Sequence, residues 1–149
     1  MEINRQLLAP CGLYCGVCSI MIAHRDRNEK FKQVLADLYG LKPEQIHCEG
    51  CLSDDVCEFC QVCKIKACAA QREIEGCHQC DEFPCEHIEN FPIEEGRKVM
   101  LRSVPQRREL GTEAWVAAEI ARYSCPQCGA ALFRGAQRCR NCKQAVDLK

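Results

Sequence analysis

Residues 48–68 read CEGCLSDDVCEFCQVCKIKAC, six cysteines within 21 positions. Few apolar side chains separate them, so this stretch has little to bury and is expected to run as loops and single turns held by something other than a core. The recurring unit is C-x2-C. Two residues between thiolates let one tight turn aim both sulfurs at a single tetrahedral metal ion. The unit recurs outward in both directions: Cys15/Cys18, Cys48/Cys51, Cys57/Cys60 with Cys63 following, Cys77/Cys80, Cys125/Cys128 and Cys139/Cys142. With Cys11, Cys68 and Cys85 the chain holds 16 cysteines in 149 residues. A chain with this pattern is built around metal.

Disulfides fit the pattern poorly. The sequence opens MEINRQLLAP, without a basic start and apolar run, so no secretory signal is read and a cytoplasmic location is expected. The cytosol keeps thiols reduced. No run approaches the roughly 18 apolar residues of a membrane span. Hydrophobic residues make up 47% of the chain, but cysteine supplies a large share and aromatics only 6%, too little for an ordinary core across the first ninety residues. Metal must supply folding free energy there, on the order of 10–16 kcal/mol per structural zinc in peptides.

Three stretches separate by composition. Residues 1–91 hold twelve cysteines and form the metal-binding domain. Residues 92–124 hold none and read as a helical segment packing on it. Residues 125–149 hold four and form a compact module. The expected fold is a small, metal-stapled, α-rich and irregular domain with short helices, plus a C-terminal β-hairpin zinc ribbon. Ile20 to Tyr39 reads as one helix with Phe31, Val34, Leu35 and Leu38 on one face, capped by Gly40 and blocked by Pro43. Pro84 opens a short helix with Cys85 in its first turn, where the dipole favours a thiolate. Ile93 to Val104 continues as helix until Pro105, and Thr112 is read as the N-cap of a helix through Tyr123. Trp115, the single tryptophan, is read as a core residue docking that helix on the metal module.

Charge is uneven. Residues 73–95 hold eight acidic residues and no Lys or Arg, while residues 97–149 hold eleven basic and four acidic. The formal net charge is −1, and four zinc–tetrathiolate sites would take it to about −9. Residues 122–149 stay near +3 with their own site counted, enough to permit weak phosphate contact.

Cys125-Pro-Gln-Cys128-Gly129 and Cys139-Arg-Asn-Cys142 are two knuckles ten residues apart, a separation that suits a β-hairpin turning near Phe133-Arg134-Gly135. Four thiolates leave no open position, the mark of a structural site. Gly129 follows the first knuckle, where an unusual φ is expected. This stretch resembles the zinc-ribbon family, with Lys143 where many ribbons repeat glycine. Cys11-x3-Cys15-x2-Cys18 has the spacing of radical S-adenosylmethionine enzymes, but those need an α/β barrel that this chain does not encode. Cys57-x2-Cys60-x2-Cys63 matches the ferredoxin trio, although Cys68 comes after four residues and precedes Ala69 rather than proline. His47 and His78 lie beside cysteines and can replace one as ligand. Exposed or outer-sphere positions are expected for them and for His24 and His87. The twelve N-terminal cysteines divide into three sets of four. One workable division joins Cys11, Cys15 and Cys18 to a distant cysteine and shares the others among 48/51, 57/60, 63/68 and 77/80/85.

The order of segments CGLYCGVC, CEGC, CKIKACA and CHQCDEFPC, then a helix with EAW and a terminal cysteine module, resembles the domain of unknown function 3795 family. The likeness runs from about Cys11 to Phe91. It implies zinc binding, with no activity established, and ligand candidacy for Cys11, Cys15, Cys18, Cys48, Cys51, Cys63, Cys68, Cys77, Cys80 and Cys85. Cys57 and Cys60 look like additions to the family pattern.

No phosphate loop, dinucleotide fingerprint or nucleophile–base constellation is present. The sequence therefore reads as a non-catalytic protein that binds three to four Zn2+ through all sixteen cysteines and serves as an interaction module for a protein partner. One alternative is an iron–sulfur redox or sensor protein with [4Fe–4S] in the N-terminal domain. Others are nucleic-acid contact through the basic C-terminal module, or a hydrolytic zinc site built on His78, His87 and the acidic residues of 73–95.

Overall fold

A computed structural model describes residues 2–148. Among the described residues there are seven α-helices: α1 (Ser19–Arg25), α2 (Glu29–Tyr39), α3 (Glu58–Gln61), α4 (Lys64–Gln71), α5 (Glu86–Glu89), α6 (Glu94–Leu110) and α7 (Thr112–Arg122). Short 3-10 turns lie at Arg5–Leu7, Cys15–Val17, Pro43–Gln45 and Cys77–Gln79. Among the described residues there is no β-strand, only isolated antiparallel bridges at Leu8/Tyr14, Ser124/Ala131 and Arg138/Ala145. The helical, irregular character expected of the fold is present. The expected C-terminal β-hairpin is not: each bridge there pairs residues flanking a single knuckle, so no ladder spans the two.

Several helix boundaries differ from the sequence reading. The Ile20–Tyr39 segment is two helices. The first ends at Arg25 with Asp26 as its C-cap, Asn28 caps the second, its Oδ1 accepting the Phe31 amide at 3.0 Å, and Arg27 between them turns the chain at φ 49°. On α2 the buried residues are Leu35 and Ala36, whereas Val34 and Leu38 are 61% and 71% exposed. Gly40 ends the helix in the left-handed region at φ 70°, as its position predicts. Pro105 does not interrupt α6, which runs on to Leu110. Burial of Met100, Ser103, Val104 and Arg107 on one face carries it past the missing amide. Thr112 is the first residue of α7 rather than its cap, and its hydroxyl accepts from Arg107 Nε at 3.2 Å. Within 47–85, α4 runs for two turns, longer than the single turns expected.

The interior is several small clusters rather than one core. Ile20, Met21, Ile22 and Ala23 of α1 pack on Leu35 and Ala36 of α2, with Ile46, Cys48, Val56 and Cys57. A second cluster joins Ala9, Cys11, Cys15, Cys51, Ile65, Ile88 and Met100. A third sets Trp115, Val116 and Tyr123 against Leu8, Tyr14 and Val17. Trp115 is fully buried. Its indole donates to Ser103 Oγ at 2.7 Å, and its ring meets Tyr14 edge-on at 6.0 Å. It sets α7 against Leu8, Tyr14 and Val17. Arg102 pairs with the buried Glu119 at 2.7 Å and ties α6 to α7.

The C-terminal module seats on this assembly. The Arg134 amide donates to the Val17 carbonyl at 2.7 Å, and its guanidinium to the Tyr14 carbonyl at 3.3 Å. Phe133 stacks on Phe31 at 4.9 Å, with Arg140 over the Phe31 ring. No helix among the described residues is long and apolar enough to cross a membrane.

Candidate metal centre

Cys125, Cys128, Cys139 and Cys142 bring four sulfurs within 4.8 Å of one another, a set that can hold a metal ion. The backbone builds it from two matching halves. The Gly129 amide donates to the Cys125 carbonyl at 2.8 Å, and the Lys143 amide to the Cys139 carbonyl at 2.9 Å. The Cys125 amide donates to Ala130 and the Cys139 amide to Gln144. Gly129 sits at φ 76° and Lys143 at φ 66°, so the residue that stands in place of a second glycine adopts the same left-handed turn. The Cys125–Cys142 and Cys128–Cys139 sulfurs are 3.7 and 3.6 Å apart. A tetrahedron with Zn–S bonds of about 2.3 Å has edges of about 3.8 Å, so these contacts already have the tetrahedral spacing.

Cys128 is exposed and ionises early. The Asn141 amide donates to its sulfur at 3.4 Å, and with the Ala130 backbone amide it holds the thiol down to about 6. Cys142 responds oppositely: the Gln144 amide favours its thiolate, but burial and the three neighbouring sulfurs outweigh this and push it up to about 11. Four like charges cannot gather there without a cation among them.

The twelve N-terminal cysteines are all free thiols, mostly buried or half-buried. Among the described residues they form no set with all sulfurs within 4.8 Å, but several act on one another. Cys57 and Cys60 lie 3.7 Å apart, the Cys51 amide donates to Cys15 Sγ at 3.4 Å, and Cys57 acts on the Cys48 thiol as Cys15 and Cys60 act on that of Cys51. Burial pushes Cys11 up to about 12 and Cys77 to about 11. Their sulfur partners, Cys15 and Cys51 respectively, push Cys51 and Cys60 to about 12. Without a cation these thiols keep their protons, and a divalent metal would reverse the balance. Cys18, Cys57, Cys63 and Cys85 each stand immediately before a helix, where unpaired amides face outward. Cys85 was expected one position further in. Cys68, Cys77, Cys80 and Cys85 line a cavity of about 250 Å³ beside α4 and α5. Arg72 donates to Cys80 Sγ at 3.8 Å, and Arg108 donates to the Cys77, His78 and Cys80 carbonyls.

His87 lines the cavity with Cys68, Cys77, Cys80 and Cys85. His47 Nδ1 pairs with Asp55 at 2.6 Å. Burial, with Arg107 nearby, holds His78 down to about 4, so it is neutral at pH 7. His24, Glu49 and Asp55 also place ligand atoms within 4.8 Å of one another. The sequence reading missed this trio because His24 lies 25 positions from Glu49. Ordinary pairing, His24 with Glu49 at 2.8 Å, already accounts for it.

No curated protein matches the chain, and no solved structure does. A family model described as "Protein of unknown function (DUF3795)" matches residues 7–90, close to the span on which the sequence likeness rested. That match takes in every N-terminal cysteine and more than half of the 149 residues, and the chain belongs to the DUF3795 family.

Proposed function

We propose that this is a structural zinc protein that serves as an interaction module for a protein partner. The observation that carries the zinc reading is sulfur spacing. The contacts at 3.6–3.7 Å match the edges of a mononuclear tetrahedron. An iron–sulfur cubane binds each cysteine at a different iron and holds its thiolates further apart. Four thiolates close the C-terminal site to substrate, which favours a bracing role over a catalytic one. Val34 and Leu38 on α2, with Phe59 and Val62 near α3, are exposed apolar side chains and support a protein partner. Tyr39 and Phe59, 5.6 Å apart, join the two helices across this face.

Elemental analysis with a visible spectrum, on protein purified without oxygen, tests the reading. About three to four zinc ions per chain and no colour are expected. Iron with acid-labile sulfide and absorption near roughly 400 nm would replace it with the [4Fe–4S] alternative.

A further inference from the structure

We propose that the twelve N-terminal cysteines divide into Cys18/Cys48/Cys57/Cys60, Cys11/Cys15/Cys51/Cys63 and Cys68/Cys77/Cys80/Cys85, so that two C-x2-C pairs are each split between different ions. The assignment rests on the reading above that these thiols bind metal, and it says which of them share an ion.

Three observations separate the sets. Cys48 and Cys57 belong to the cluster around α1 and α2, with Cys18 and Cys60 packed against it. Cys11, Cys15 and Cys51 belong to the next cluster, with Cys63, Cys77 and Cys85 packed against it. The sulfurs that act electrostatically on Cys11 are those of Cys51 and Cys63. Those that act on Cys77 are Cys85, Cys80, Cys68 and, last, Cys63; the first three line the cavity beside α4 and α5 with Cys77, and Cys63 does not.

Backbone hydrogen bonds explain the splitting. In Cys48-Glu-Gly-Cys51 the Gly50 amide turns back to Cys48 Sγ at 3.3 Å, whereas the Cys51 amide donates to Cys15 Sγ at 3.4 Å, 36 residues away. The two ends of this pair serve different sulfurs. Gly50 permits the turn at φ 119°, where a Cβ would stand 2.5 Å from the Gln6 carbonyl oxygen. Cys15 and Cys18 flank a 3-10 turn, Cys18 leaving it in extended conformation at the head of α1. Cys57/Cys60 and Cys77/Cys80 stay together as ordinary pairs. Cys51 and Cys60, one from each of the first two sets, act on each other's thiols, so these two sets are neighbours. Metal would draw the remaining sulfurs of each set inward by rotation about Cα–Cβ bonds. Splitting two pairs between adjacent ions cross-links residues 15–18 to residues 48–51 at both ends.

Full-length chain loaded with an NMR-active cadmium isotope reads the assignment directly, since each ion couples to the β-protons of its own cysteines. Cys15 and Cys18 are expected on different ions, and Cys48 and Cys51 likewise. A single cadmium coupled to both members of either pair, or a thiolate shared by two cadmiums, overturns the assignment. Ion counting by native mass spectrometry is a second measure. Cys15→Ser and Cys15→Ser/Cys51→Ser should each lose the same single ion, and Cys15→Ser/Cys18→Ser should lose two. Equal losses in the two double variants would overturn it as well. Failure of residues 11–85 to bind cadmium or zinc overturns both this assignment and the reading beneath it. Uptake with a different partition overturns the assignment alone.

Discussion

Asn141 tunes one thiol of the C-terminal set. With Cys128 held down to about 6, it is a thiolate at pH 7, so a divalent metal bound there would displace fewer than four protons. As pH falls through about 6, Cys128 takes up its proton, release climbs toward four, and affinity drops more steeply. Asn141→Ala removes the donor and lets the thiol rise, so proton release at pH 7 increases. Calorimetry in buffers of different ionisation enthalpy compares the two chains, and equal release would refute this role. Trp115 is the residue on which the third cluster turns. Trp115→Ala should cost about 3–5 kcal/mol. Ser103→Ala leaves the buried indole N–H without an acceptor and should cost about 1–3 kcal/mol, both read from thermal midpoints of the metal-loaded protein. The core role of Trp115 was legible in the sequence because a large aromatic on a helix with few rivals has to be buried. The break at Asn28 was not, because an apolar period running from Ile20 to Tyr39 concealed a cap inside it.

At the scale of elements, α6 carries a defect that its packing tolerates. Pro105 has no amide to donate to the Leu101 carbonyl one turn earlier. Pro105→Ala should restore that bond and raise stability by up to about 3 kcal/mol, and a lower melting temperature in the variant would count against this account. The same helix presses on the cysteine segment at Gly12, which sits at φ 92°, where an added Cβ would lie 2.6 Å from Val104 Cγ2. Gly12→Ala should therefore lose about 1–3 kcal/mol through overpacking alone, seen in a denaturant titration. Sequence reading ended α6 at Pro105 because proline is an interior helix breaker by default, and only burial of Met100, Val104 and Arg107 overrides it. The expected hairpin failed for a related reason. Spacing places two knuckles at a suitable distance but does not oblige the intervening residues to pair as a ladder.

For the whole molecule, metal and packing should be distinguishable. A zinc chelator is expected to abolish most of the helical circular dichroism, because the N-terminal clusters are small and cysteine-rich; retention of helix after complete metal removal would contradict that. Cys128→Ser should remove one ion and leave residues 11–85 loaded. The contacts of Arg134 and Phe133 with Tyr14, Val17 and Phe31 make a lower thermal midpoint the further expectation. Loss of every ion would instead show a single cooperative unit. The sequence alone determined the DUF3795 membership, the helical and irregular character, and the four C-terminal cysteines as one set that could hold a metal ion, because ligand chemistry and short spacing are local properties. Tertiary structure alone decided the rest: which distant sulfurs meet, that α2 turns Leu35 inward and Val34 and Leu38 outward, and that the C-terminal module lies on α2. Contacts between residues far apart in the chain depend on how the helices stack, and spacing along the chain carries no record of that.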